Sequence, residues 1–242
     1  MSSDLSFLDL LAPTPPGWGG VLLAGAASTL MIAFCAYALG IMIGLAGALG
    51  KLKAGRLVRT SLELYTTAVR AIPELVLIIG LYYAGTDGLN RLLIKLGVEP
   101  IEINGFVAAV VVLGFVQGAY MTEVLRGAIL AVPMGQIDAA LAFGMRPLLR
   151  FRRVTLPALL PNALPGLANL WMSVVKDTAL IAVVGYQELA LATRLAAGNT
   201  KHYLLFFVAA ALLYLIITLV SNAIFGFIEA YVRRGQPKLE TL

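Results

Sequence analysis

The sequence predicts an all-α integral membrane protein with about five transmembrane helices. Three observations predict this. Apolar residues make up 60% of the 242 positions and charged ones 13%, where soluble domains average about 45–50% and about 25%; a chain this short cannot hide that apolar excess from water. Apolar runs close to the roughly 20 residues that cross hydrocarbon recur along the chain. The basic residues cluster between these runs and form no face interleaved with aromatics, so the net charge of +5 speaks for membrane orientation and against nucleic acid.

The elements follow in order. The start, MSSDLSFLDL, carries Asp4 and Asp9 and no basic residue before Lys51. It lacks the positive region of a cleavable signal, and the first apolar segment is expected to stay as a helix. That span covers residues 18–49 and contains Gly40 and Gly44 in a GxxxG, followed by Gly47 and Gly50; small residues let helices approach closely in lipid. The second span covers 62–84. Its end, LVLIIGLYYAG, is plainly apolar, while its start holds Glu63, Arg70 and Glu74; Arg70 and Glu74 are spaced to pair across one helical turn. The third covers 104–128, between Glu102 and Glu123, and the fourth 155–176, between Arg153 and Lys176. The fifth covers 203–229 and is the clearest. Residues 184–201 are amphipathic and too polar to span, which fits re-entrant packing or an outward docking face. The whole chain, 1–242, reads as a single membrane domain.

Five spans put the termini on opposite sides. Lys51, Lys53, Arg56 and Arg59 follow span one, Arg146, Arg150, Arg152 and Arg153 follow span three, and Arg233, Arg234 and Lys238 sit in the tail. The other side has Arg91, Lys95, Arg194 and Lys201, diluted by Asp87, Glu99, Glu102 and Glu188. Eleven basic residues against four place the N-terminus outside and the tail in the cytoplasm. Cys35 is the one cysteine and His202 the one histidine, so no internal disulfide and no metal cluster is expected. His202, beside Lys201 before a long apolar run, reads as interfacial.

The connection after span three, about 133–157, is too patterned for a passive turn. Gln136 to Phe143 favours helix, Gly144 sits where a left-handed C-cap belongs, and Pro147 suits the first turn of a second short helix. Pro157 and Pro161 mark entry into span four. Two short helices bent at a glycine make a firm knob. The residues alone leave two readings open: a docking knob, or an interfacial helix pair whose arginines meet lipid headgroups.

The segment resembles the EAA motif of ABC importer permeases. Asp138-Ala139-Ala140 stands where that motif has E-A-A, Gly144 is its central glycine, and Val154, Leu156 and Pro157 fill its closing portion. Asp in place of Glu keeps the charge and shortens the reach. Further phrases extend the resemblance from about residue 20 to 235: Tyr65-Thr66-Thr67 with Arg70-Ala71-Ile72-Pro73-Glu74-Leu75, Gly118 to Glu123 with Arg126-Gly127, and Lys176-Asp177-Thr178-Ala179-Leu180. These are similar to the polar amino acid permeases, most of all the histidine/lysine-arginine-ornithine and opine branch. The resemblance implies a type I ABC importer permease fold in a bacterial inner membrane. It implies that Gly135, Asp138, Ala139, Ala140, Gly144 and Met145 contact a cytoplasmic ABC ATPase dimer through a coupling helix. It also implies a second permease subunit, a homologous chain or a second copy, and a periplasmic binding protein that delivers the amino acid. ATP and Mg would belong to the ATPase; this chain is expected to bind no cofactor and to do no covalent chemistry. Its nearest approach to a P-loop, GLAGALGK from Gly44 to Lys51, has five residues between its outer glycines where the motif has four, and Leu52 where it has Ser or Thr.

Charge at membrane depth is costly and tends to mark a transport path. Arg70, Glu74 and Arg126 are read as pairing near the interfaces, and Lys176 stays open between pairing and the path. Glu123 and Asp177 are the expected cargo contacts, with Tyr120 and Thr178 beside them. Carboxylates would favour a cationic cargo such as a guanidinium, and Tyr120 could stack on it. Two other classes stand against this reading, an ion-coupled secondary transporter and a membrane scaffold without cargo. The absence of a duplicated half opposes the first, the buried acids oppose the second, and the EAA-like knob opposes both.

Overall fold

The computed structural model describes residues 6–100 and 104–234; Asp4, Glu102 and Lys238, which enter the charge pattern above, lie outside them. The described residues form a helical bundle. A short α1 (Phe7–Leu10) is closed by a capping box between Ser6 and Asp9, and its Leu10 anchors against Ala196, Ala197 and Phe206. α2 (Gly19–Lys53) is the first long, apolar helix and ends on Lys51 and Lys53, where cations suit the helix dipole. The Gly44–Lys51 stretch is therefore helix and not loop.

α5 (Gly105–Leu130) starts at Asn104, whose side chain accepts the Phe106 amide at 2.8 Å. It packs along α2 through small residues on both sides. A Cβ on Gly44 would come within 2.5 Å of the Met121 Cβ, and one on Gly114 within 2.7 Å of Leu39. The expected glycine stripe is thus the line along which the two helices touch.

The expected second span, 62–84, is not one helix. α3 (Arg56–Ala71) and α4 (Glu74–Lys95) are bent 118° apart, because Ile72 before Pro73 takes extended backbone (φ −94°, ψ 138°), as a residue preceding proline prefers. Four helical stretches are long and apolar enough to cross a membrane, or up to five if this bent pair counts as one. The break also undoes the expected Arg70–Glu74 pair: the two no longer share a helix, and no ion pair joins them.

After α5, α6 (Met134–Ala142) and α7 (Pro147–Arg150) precede a π-helical turn over Phe151–Thr155 and α8 (Leu156–Asp177). α8 contains Pro161 and Pro165. Pro165 cannot donate to the Pro161 carbonyl, and Arg233 Nη2 donates to that oxygen instead, at 3.2 Å, the kind of outside partner that makes proline tolerable in a membrane helix. A 3-10 turn over Thr178–Val184 ends at Gly185 (φ +86°). α9 (Leu189–Thr200) packs on α2 and α10 (Tyr203–Val232) through Leu189, Ala192 and Ala196. Glu188, counted above as an outer-surface charge, is instead fully buried. Its carboxylate accepts from Thr29 and Tyr214 hydroxyls, both at 3.2 Å, and from the Leu191 amide at 2.9 Å, tying α2, α9 and α10 together.

A second buried charge holds the other end of the bundle. Lys51 Nζ meets Glu123 Oε1 at 2.5 Å and Thr66 Oγ1 at 2.6 Å, and its side chain is 7% exposed. Arg126 takes the other Glu123 oxygen at 2.8 Å. Removing one partner of a buried pair is costly because a charge is stranded, but Arg126 would still serve Glu123. Lys51→Met is therefore expected to cost about 2 kcal/mol, below the roughly 3–5 kcal/mol of a fully stranded charge. Thermal melting in detergent should show a lower Tm for Lys51→Met and a near-normal one for Lys51→Arg.

Candidate functional site

Two interrupted helices bring polar side chains together inside the bundle. The break at Pro73 sets Glu74 in the first turn of α4, where the helix dipole favours a carboxylate. Asp177 is the last residue of α8, at the change from α-helix to 3-10 turn. Glu74 lies close enough to act electrostatically on both Asp177 and Tyr120. From α5, Gln117 donates Nε2 to Asp177 Oδ2 at 2.9 Å. Gln117 is 1% exposed, and its Oε1 has no hydrogen-bond partner among the described residues. Discontinuous helices meeting at one depth are a recurrent way of building a transport site in a membrane.

The chemistry of this cluster is one-sided. It offers two carboxylates and an unpaired amide oxygen, all acceptors. Arg70 acts on Tyr120 and Lys176 on Asp177 by charge, but both side chains are exposed. Carboxylates side by side in a low-dielectric surround repel each other, and a cation between them relieves that repulsion. A buried acceptor without a donor asks for an explanation of its own. A ligand carrying positive charge on several N–H groups answers both demands.

The second site is the knob of residues 133–157. α6 ends as the sequence predicts: Gly144 is left-handed (φ +67°), the Gly144 amide donates to Leu141 O at 2.8 Å and the Met145 amide to Ala140 O at 3.1 Å, which is a Schellman closure. Pro147 occupies the first turn of α7. Ala140 is buried while Gly135, Asp138, Ala139 and Gly144 are exposed and Met145 is half-buried. Met134, Leu141, Phe143 and Leu148 are also exposed, Phe143 by 83%. These exposed apolar side chains on a knob outside the spans make it a candidate docking surface.

The structure joins Tyr120 and Asp177 and leaves their two companions apart. Glu123 sits about a turn beyond Tyr120 on α5, occupied by Lys51 and Arg126. Thr178 is buried, with its hydroxyl donating to Val175 O at 2.8 Å. Glu74 and Gln117 take up the site in their place. Both had a sequence signal: Glu74 follows Ile-Pro, a helix breaker inside an apolar stretch, and Gln117 is the lone amide in the uncharged part of α5 before Glu123.

Residues 36–234 match the family described as binding-protein-dependent transport system inner membrane component. The chain is 41% identical over 213 residues to a histidine/lysine/arginine/ornithine transport system permease protein of Escherichia coli, covering 88% of this chain and 93% of that one. It is 41% identical over 230 residues to a nopaline transport system permease protein of Agrobacterium fabrum, covering 94% and 98%. In fold it is similar to a crystal structure of an amino acid ABC transporter with histidines, with TM-score 0.76, 26% identity and 94% and 99% coverage. It is also similar to the MetNI methionine ABC transporter in an inward-facing form, with TM-score 0.70, 22% identity and 90% and 99% coverage.

Proposed function

The chain belongs to the binding-protein-dependent transport system inner membrane components and is an importer permease, and we propose that its cargo is a basic amino acid or opine held between Glu74, Asp177 and Gln117. The observation that carries this is the cluster itself: paired carboxylates and an unpartnered amide oxygen inside the membrane. A guanidinium or ammonium group supplies both the charge and the donors. The relatives named for histidine, lysine, arginine, ornithine and nopaline transport support the same class.

The rest of the machine is read as follows. A binding protein delivers cargo to the outer face, where α9 and the 178–188 segment lie. A second permease subunit completes the path. Two ATPase subunits, carrying ATP and Mg, grip the 133–157 knobs in the cytoplasm, with the N-terminus of this chain outside. From Pro147 to Val184 the chain runs through one helical stretch of 38 residues, so the knob and Asp177 share one lever. A push on the knob therefore reaches the carboxylate pair through backbone, with the π-turn and the prolines as the places where it bends.

Uptake tests this. Proteoliposomes holding the assembled transporter, its binding protein and ATP are expected to take up arginine, histidine and ornithine at least about tenfold faster than glutamate, the discrimination that one unpaired or repelled buried charge supplies. Faster glutamate uptake would contradict the cargo class. No ATP-dependent uptake of any amino acid would contradict the energy source.

A further inference from the structure

A cavity of about 520 Å³ opens between the 133–157 knob, the start of α8 and the end of α10. Arg153 and Arg234 stand in its wall, and the apolar lining comes from Phe143 and Met145 of the knob together with Val154, Pro157, Ala158 and Val232. Neither arginine has a carboxylate partner among the described residues. The nearest acid on α10, Glu229, is taken by Arg233 at 2.8 Å, and Arg234 rests over the Tyr231 ring of its own helix, 5.0 Å from the centroid. The cavity thus has two guanidinium groups without a carboxylate partner among the described residues.

Its depth says what could. Pro157 and Ala158 begin one membrane helix and Val232 ends another, so the cavity lies where hydrocarbon gives way to headgroups. On the α10 side, Ile224, Phe227 and Tyr231 are 54–71% exposed and continue the apolar surface toward the bilayer. A soluble anion would match the arginines and leave the apolar lining bare. An anion with acyl chains matches both. Basic pockets between membrane helices on the cytoplasmic side bind anionic lipid headgroups in this way, and the planar guanidinium suits a phosphate.

We propose that this cavity binds one anionic phospholipid, phosphate against Arg153 and Arg234 and chains along α10. The lipid would brace the knob against the end of α10, next to the residues Ala139, Phe143 and Met145 that the knob also offers for docking. The assignment to the inner leaflet rests on the cytoplasmic orientation given above.

Lipid binding by the purified, delipidated transporter complex in detergent tests it, using labelled phosphatidylglycerol and phosphatidylcholine. Phosphatidylglycerol binding is expected to fall about thirtyfold in Arg153→Gln/Arg234→Gln, about fivefold per arginine. It should hold in Arg91→Gln/Arg194→Gln, which removes the same charge at the other end. The Arg153→Lys/Arg234→Lys pair should keep most of the binding, showing that the fold tolerates change there. Phosphatidylcholine should bind weakly to all. Equal loss in both glutamine pairs, no loss in either, or phosphatidylglycerol that binds the permease alone and is expelled by the ATPase would each overturn the proposal. Micelles have no sides, so an error in orientation would leave this result unchanged and would show only in the vectorial uptake assay.

Discussion

Asp177→Asn is expected to reduce arginine uptake about thirtyfold or more. The substitution keeps the side chain's size and the acceptor that Gln117 Nε2 now uses at 2.9 Å, so the bundle around it should stand. What it removes is one of the two carboxyl groups that Glu74 and Asp177 bring close together. Losing one partner of a buried, hydrogen-bonded charge pair costs about 2–5 kcal/mol, which at about 1.4 kcal/mol per decade is thirtyfold at the least. Glu74→Gln should behave alike. Glu123→Gln should affect stability more than cargo, because Glu123 is committed to Lys51 and Arg126. Transport kinetics in proteoliposomes with labelled arginine decide it: full uptake in both Asp177→Asn and Glu74→Gln would remove the pair from the path.

Gly144 is the second point of large effect. Its φ of +67° is one that only glycine adopts freely, yet a Cβ there would meet nothing within 4 Å. The demand is therefore conformational and not steric. Asn tolerates the left-handed region, whereas a β-branched residue is an outlier there. Gly144→Val is expected to shift the Schellman closure at about 1–2 kcal/mol or more, to misplace Phe143 and Met145, and to lower association with the ATPase about tenfold or more. Gly144→Asn should associate nearly as the wild type does. Co-purification with the ATPase compares the two, and equal behaviour of the variants would mean that the glycine's backbone has no part in docking.

Much of this was legible in the sequence, and the failures have physical reasons. Composition and run length carry the membrane class, because lipid permits little else than apolar helices. The knob is legible in detail, since Gly144 and Pro147 act through local backbone preferences that need no tertiary context. The second span went astray because hydropathy sums over a proline without noticing the bend it makes at Ile72–Pro73. The proposed cargo cluster is only half legible. Asp177 and Tyr120 stand out as polar residues beside apolar runs, but their meeting with Glu74 depends on that same bend. Glu123 looks identical in kind to Asp177 along the chain; only the arrival of Lys51 from α2 separates them. Glu188 was read as a surface charge for a like reason: its partners Thr29 and Tyr214 come from distant helices.

The account centres on a cation between Glu74 and Asp177, and the most direct test is the structure of the assembled transporter with arginine bound. The account predicts a guanidinium or α-ammonium within hydrogen-bond distance, about 3 Å, of both carboxylates, with Gln117 Oε1 now accepting from it. Arginine seated elsewhere in the path, with the two carboxylates and Gln117 Oε1 left as they are, would contradict it.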